Sequence, residues 1–223
     1  DADDFRTPVR GVRRTAARAL AEAADYFDED ELALLDRVAK HARMVVWDWD
    51  LTVLSIHSYG MRIHATDIRG GLRGPETLVS DFTDLPFFTA LALALHERGV
   101  KVCVASFGQY ATIQAYCDFI FGVDSKLFTR ENINTPGVVG GTDGCTLAGG
   151  KNLQLEHLCR TFGVAKEDVL FYDDDGRNID HAKDAGYPYS FHADGGFTQE
   201  LWSHSVARLL ADREEGAAGG AGG

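Results

Sequence analysis

Residues 44–53 read Met-Val-Val-Trp-Asp-Trp-Asp-Leu-Thr-Val, an apolar run that ends in two carboxylates, Asp48 and Asp50. Side chains alternate across an extended strand, so residues two apart share a face. If the strand holds at its end, both carboxylates crowd one small volume. Like charges that close repel, and one of them must be protonated, screened or bound to a cation. A buried strand tip would avoid such a pair unless it served a site, so Asp48 and Asp50 mark one.

Outward from this strand, short apolar runs alternate with helical ones. The strand itself is predicted over Val45–Trp49. A helix follows over Phe87–Arg98 and stops at Gly99, where a C-cap glycine belongs. Lys101–Ser106 is a second strand and Tyr110–Phe119 a helix. Asn152–Phe162 is helical up to Gly163, Val169–Tyr172 is a strand, and Ile179–Ala185 is a helix before Gly186. Tyr189–His192 is a late strand, and Thr198–Ala211 is the last helix. This order predicts an α/β fold with a doubly wound parallel sheet. In such sheets ligands bind beyond the carboxyl ends of the strands. Three predicted strands end there in chemistry: Asp48 with Asp50, Ser106, and Asp173-Asp174-Asp175.

Before this domain, residues 1–43 read as a helical segment of two parts. Ala16, Ala17, Ala19, Leu20, Ala23 and Ala24 favour one helix, and Leu32, Leu34, Leu35 and Val38 a second. Asp28–Glu31 stand where a helix start places negative charge. The segment is expected to be a packing appendage or short cap. The main domain is expected over 44–212. A tail over 213–223, ending in the Gly/Ala run Gly216–Gly223, is expected to be disordered.

The chain of 223 residues is 45% hydrophobic and 25% charged, as an ordinary globular protein is. Its net charge of -12 argues against a general nucleic-acid or anionic-membrane binder. An acidic protein that handles an anionic substrate needs a local positive site, from a metal ion, a lysine or helix N-termini. Cys103, Cys117, Cys145 and Cys159 form no C-x-x-C pair, and Cys103 lies in an apolar run. This usage points away from disulfides and zinc and toward a reducing, cytoplasmic setting. No apolar run reaches membrane-spanning length. The chain opens at Asp1 without a methionine, so an N-terminal segment with a targeting signal is allowed for ahead of it.

The ordered set Asp48-x-Asp50-x-Thr52, Ser106 after Val-Cys-Val-Ala, Lys151 after Gly149-Gly150, and Asp173-Asp174 after Val-Leu-Phe-Tyr resembles the haloacid dehalogenase superfamily. The resemblance spans about residues 44–205 and covers its four motifs in order. Phe171-Tyr-Asp-Asp-Asp-Gly-Arg-Asn-Ile179, Ala105-Ser106 and Gly-Gly-Lys151 look most like its magnesium-dependent phosphatases, a small-cap branch acting on phosphotyrosine and sugar phosphates. That branch usually has Leu or Phe where Trp49 stands, and often Arg where this chain has Phe107. The resemblance implies a Rossmann-like fold with a minimal cap. It implies Asp48 as nucleophile, forming an aspartyl-phosphate, and Asp50 as general acid and base. It implies that Ser106, Phe107 and Lys151 hold the phosphoryl group. Mg2+ is expected on Asp48, the Asp50 carbonyl and Asp174, with Asp173 close by. A phosphorylated small molecule or phosphoprotein is the expected substrate, and the oligomeric state stays open.

Other readings account for less of the pattern. An EF-hand loop begun at Asp48 would need Gly and Glu where Val53 and Tyr59 stand. A receiver domain carries its acidic pair first and its lysine last, whereas an acidic run closes the order here. A phosphotransferase or phosphomutase, and an idle relative acting as a binding module, remain as alternatives. Asp175 reads as a turn residue and Lys126 as a surface one. Asn178 either orients the Asp173–Asp175 loop or caps the next helix.

About thirty residues after the first motif are left for a cap, too few for a separate helical domain. Asn132–Gly150 is Gly-rich and polar, a loop rather than a lid. The predicted site is therefore open, with the N-terminal helices as its remaining cover. Residues 56–80 carry His57, Arg62, His64, Arg69 and Arg73 against Asp67 and Glu76. This basic excess reads as a solvated loop or as a surface that recognises the rest of an anionic substrate.

Overall fold

The computed structural model describes residues 21, 23 and 25–219. Five parallel strands form its sheet: β1 (Met44–Trp47), β2 (Lys101–Ala105), β3 (Ile133–Asn134), β4 (Val169–Asp173) and β5 (Ser190–His192), in the order β3-β2-β1-β4-β5. The helices are α1 (Glu29–Val38), α2 (Ala65–Arg69), α3 (Pro75–Ser80), α4 (Leu85–Glu97), α5 (Tyr110–Phe121), α6 (Asn152–Phe162), α7 (Gly176–Asp184) and α8 (Gln199–Gly219). The chain leaves β1 for β2 and β3 on one side, then crosses back to β4 on the other. That reversal opens a crevice at the carboxyl ends of β1 and β4, as the alternating pattern predicts.

Alternation along the central strands sorts the core into two layers. Val45, Trp47 and Trp49 face a large cluster with Leu35 and Val38 of α1, Leu91 and Leu95 of α4, Ile113 and Ile120 of α5, and Leu209 of α8. Met44 and Val46 face the other side, with Cys103, Leu155 and Leu158 of α6, and Ile179 and Ala182 of α7. The sheet is thus covered on both faces, which explains the unbroken apolar runs of β1 and β2.

Several boundaries differ from the predicted ones for local reasons. The β1 ladder ends at Trp47, two residues early, and a wide turn occupies Trp49–Val53. Asp48 and Asp50 keep extended dihedrals (φ -66°, ψ 166° and φ -69°, ψ 134°), so alternation outlasts the ladder. Helix α4 starts at Leu85 because the Asp84 side chain accepts a hydrogen bond from the Phe87 amide and Pro86 sits in the first turn. Helix α6 matches its predicted span and ends at Gly163 in the left-handed region (φ 64°). Strand β3, with two residues, is too short to leave a periodic trace, as are the single turns of α2 and α3.

Helix α1 carries a capping box in which Asp28 and Glu31 each accept the other's backbone amide. It packs on the sheet's core face, away from the crevice. Most of the helix expected over 16–24 lies outside the described residues. Helix α8 runs past Ala211 through Gly219, into the stretch expected to be disordered. Arg213 to Asp168 and Glu214 to Arg37, each at 2.8 Å, tie down the first part of that extension. No helix among the described residues is long and apolar enough to cross a membrane.

Candidate active site

Asp48 continues the face of Met44 and Val46, and its amide extends the ladder to the Tyr172 carbonyl at 2.8 Å. Asp173 ends the same face of β4, after Val169 and Phe171. Both carboxylates therefore rise into the crevice on the α6–α7 side. Trp49, between the two aspartates, points the other way and is fully buried against Phe82, Phe88 and Tyr116. Its packing pins the backbone from which Asp48 and Asp50 project.

Lys151 immediately precedes α6, and its side chain, 1% exposed, reaches back under the sheet edge. Its Nζ donates to Asp48 Oδ1 at 2.6 Å and to the Ala105 carbonyl at 2.8 Å, and lies 3.6 Å from Asp173 Oδ2. Burial works against the ammonium, but Asp48, Asp173 and Asp174 outweigh it and leave its pKa raised. The Phe107 ring covers the same Nζ at 4.2 Å from the ring centroid. Lys151 is thus a fixed positive charge at the base of the pocket.

Carboxylate oxygens of Asp48, Asp173 and Asp174 lie within 4.8 Å of one another. Asp173 Oδ1 accepts from Asn178 Nδ2 and from the Asp175 amide, both at 2.9 Å. Its buried Oδ2 has no hydrogen-bond partner. Lys151 Nζ, 3.6 Å away, is too far to bond it, and a buried oxygen left so is costly unless a cation coordinates it. Burial pushes the Asp173 carboxyl up to about 7 against the pull of Lys151, and burial with the Asp48 charge pushes Asp174 up to about 6. Three convergent carboxylates with one orphaned buried oxygen are an all-oxygen set suited to a hard divalent cation. Thr52 holds the cluster together: its Oγ1 accepts the Asp174 amide at 3.0 Å and lies 3.5 Å from Asp174 Oδ1.

Asp50 stands apart from that group. Its Oδ1 accepts from Ser58 Oγ at 2.5 Å and its Oδ2 from the Tyr59 amide at 3.1 Å. Burial, and to a lesser degree the Asp48 charge, still raises its pKa. The two accepted hydrogen bonds favour the carboxylate, but burial outweighs them and leaves the pKa above the usual carboxylate range. His57 Nδ1 accepts the Gly60 amide at 2.9 Å and lies 3.1 Å from Asp50 Oδ2.

The remaining predicted site residues fall around the same pocket, a cleft of about 360 Å³. Ser106 lines it, with Oγ accepting the Gly108 amide at 3.1 Å, and Gln154 fixes the strand end through the Ser106 and Asn134 carbonyls. Phe107 lines it through the ring on Lys151. Asp175 acts as a turn residue: it caps α7 by accepting the Arg177 amide, and the Arg177 guanidinium lowers its pKa. Asn178 takes the loop-orienting role, by its bond to Asp173. Lys126 is exposed and outside the pocket.

Ser58, His57 and Tyr59 are absent from the motif-based expectation, since nothing in their spacing links them to Asp50. The stretch 132–150, expected to be all loop, begins with strand β3 and a 3-10 turn at Pro136–Val138, and the loop after them places Gly144 and Thr146 on the cleft. Gly144 (φ 86°) lies so close to the Tyr59 ring that a Cβ there would overlap it. Cover comes from the 57–60 loop and Gly144, and not from helix α1. Of the basic stretch, Arg73 forms an ion pair with buried Asp81, which Tyr116 also bonds, and Arg69 pairs with Asp118 at 3.0 Å. Both arginines brace the fold.

The raised carboxylates fix a sign for pH dependence. Their folded pKa values exceed those of an unfolded chain, so the metal-free fold is favoured at low pH and loses that stability as pH rises through about 6 to 7. A divalent ion needs the deprotonated forms. The increase in Tm on adding magnesium is therefore expected to be clear at pH 8 and to vanish by pH 5. Thermal melts across that range check it, and an increment independent of pH would contradict the cluster's role.

A family model described as haloacid dehalogenase-like hydrolase matches residues 5–186. Neither a curated protein nor a solved structure matches the chain.

Proposed function

Because the chain belongs to the haloacid dehalogenase-like hydrolases, we propose that it is a magnesium-dependent phosphatase that cleaves phosphate monoesters through Asp48. One observation carries this reading above others: two neighbouring carboxylates have opposite surroundings. Asp48 is paired with a buried ammonium at 2.6 Å, whereas Asp50 has no lysine or arginine against it among the described residues and is raised in pKa by burial. A nucleophile has to be ionised and an acid protonated at the same pH, and these surroundings divide the two roles.

In the first half-reaction, an Asp48 oxygen attacks phosphorus in line with the ester oxygen. The bond from phosphorus to Asp48 forms, the bond to the alcohol breaks, and Asp50 gives its proton to the leaving oxygen. In the second, Asp50 takes a proton from water as the water oxygen attacks phosphorus. The Asp48 bond breaks and inorganic phosphate leaves. Lys151 and Ser106 hold the phosphoryl oxygens throughout. Asp48, Asp173, Asp174 and the Asp50 carbonyl would hold magnesium, which supplies the charge neutralisation that lets a carboxylate approach a phosphate dianion.

The test is phosphate release from p-nitrophenyl phosphate without any added acceptor. Phosphate and nitrophenol are expected in equal amounts, with turnover lost on chelation and restored by magnesium. A requirement for a second alcohol would favour the phosphotransferase alternative. Unchanged turnover with chelator present would exclude the metal.

A further inference from the structure

A second cavity of about 420 Å³ meets the first at the Ser58–Tyr59 loop. Tyr59 lines both. Ser58 bonds Asp50 and lines only the second cavity. Asp50, as the acid, marks the side on which the alcohol departs, so the second cavity lies on the leaving-group side of the site.

The composition of this cavity is unusual for its setting. The protein has 34 Asp and Glu residues and a net charge of -12, yet no carboxylate lines the cavity. Arg62 and His64 do, with Gln109 and Thr112 at the start of α5 opposite. Arg69 and Arg73 are engaged by Asp118 and Asp81, while Arg62 forms no ion pair among the described residues. Arg62 also has φ 57°, in the left-handed region that L side chains rarely enter. Among the described residues it shares that property with Leu51 alone outside glycine, and Leu51 lines the catalytic cleft. Backbone strain of this kind tends to collect where a ligand is held.

Resting on the phosphatase reading, we infer that this cavity is a subsite for a second anionic group, and that the substrates are small phosphate monoesters whose alcohol carries another phosphate or a carboxylate. Arg62 is the specificity-determining residue, with His64 and Gln109 as polar neighbours. The chemistry asks only for an anion, and a fork of guanidinium donors suits either oxyanion.

A series of alkanediol bisphosphates from ethane to hexane, each set against its alkyl monophosphate, measures the subsite directly. One chain length is expected to be preferred by roughly tenfold or more in kcat/KM, the scale of one charge-assisted contact. Arg62→Ala should bring that ratio close to one and leave the monophosphate unaffected. Arg62→Lys should recover part of it, and Arg69→Ala should leave the ratio as it is. The matching hydroxyalkyl carboxylate phosphates show whether a carboxylate serves as well. A ratio near one at every length, or one that survives Arg62→Ala, overturns the inference. Calorimetry of the same pairs on the Asp48→Asn protein gives the ratio without turnover. Failure to hydrolyse any of these esters would therefore count against the phosphatase reading, and the binding ratio would still decide the subsite.

Discussion

Asp48→Asn is expected to lower kcat on an aryl phosphate by roughly 10⁴- to 10⁶-fold, the scale on which removing a covalent nucleophile registers. Asparagine keeps the shape and still offers an oxygen to Lys151, which now donates 2.6 Å away to a carboxylate. Far-UV circular dichroism and gel filtration should match the unaltered protein. The fold gains from relief of repulsion with Asp173 and Asp174 and loses part of the screening of Lys151, so the two effects oppose. Acid quenching of the unaltered enzyme during turnover should trap a phosphoryl adduct on the peptide that contains residue 48. Turnover within tenfold of the starting value would mean that the phosphoryl group never passes through this side chain.

Lys151→Met should be costly in a different currency, stability. The side chain is 1% exposed and faces Asp48, Asp173 and Asp174. Removing the cation strands buried carboxylates, a loss of about 3–5 kcal/mol. At about 2–4 °C per kcal/mol for a chain of this size, the metal-free Tm should fall by roughly 6–20 °C at pH 8. The loss should shrink toward pH 5, where Asp173 and Asp174 take up protons. Combining the change with Asp48→Asn should recover part of the stability, since one of the stranded charges is gone. Activity should drop by about 10²–10³-fold, as when one preorganised donor to a developing oxyanion is lost. An unchanged Tm would show that the ammonium is not what holds these carboxylates together.

The candidate site was legible in the sequence because its parts stand at strand ends. Asp48, Ser106 and Asp173 each follow an apolar run, and strand ends of a parallel sheet converge whatever the loops do. Lys151 was legible through its glycines and the helix after it. Ser58 and Tyr59 were not, because their contacts to Asp50 come from a loop whose path depends on the isolated bridge between Leu54 and Phe82 and on the Arg73–Asp81 pair. Neither feature has a periodic signature. The basic excess over 56–80 was visible as a count, but only the fold separates bracing arginines from Arg62. Thr52 was visible as a motif letter, and its hydrogen bond to the Asp174 amide became apparent only with β1 and β4 side by side.

The indole of Trp49 lodges among Phe82, Phe88 and Tyr116 while its neighbours on either side enter the crevice. Inheritance of the two functions is thereby joined: a variant that trims this ring begins as a packing defect and surfaces as an enzymatic one. Lineages that drift at position 49 have to re-tune the aromatic layer beneath it before activity returns. Screens for altered specificity will find the exposed rim of the second cavity, at Arg62 and His64, more forgiving ground than the triplet that opens the site.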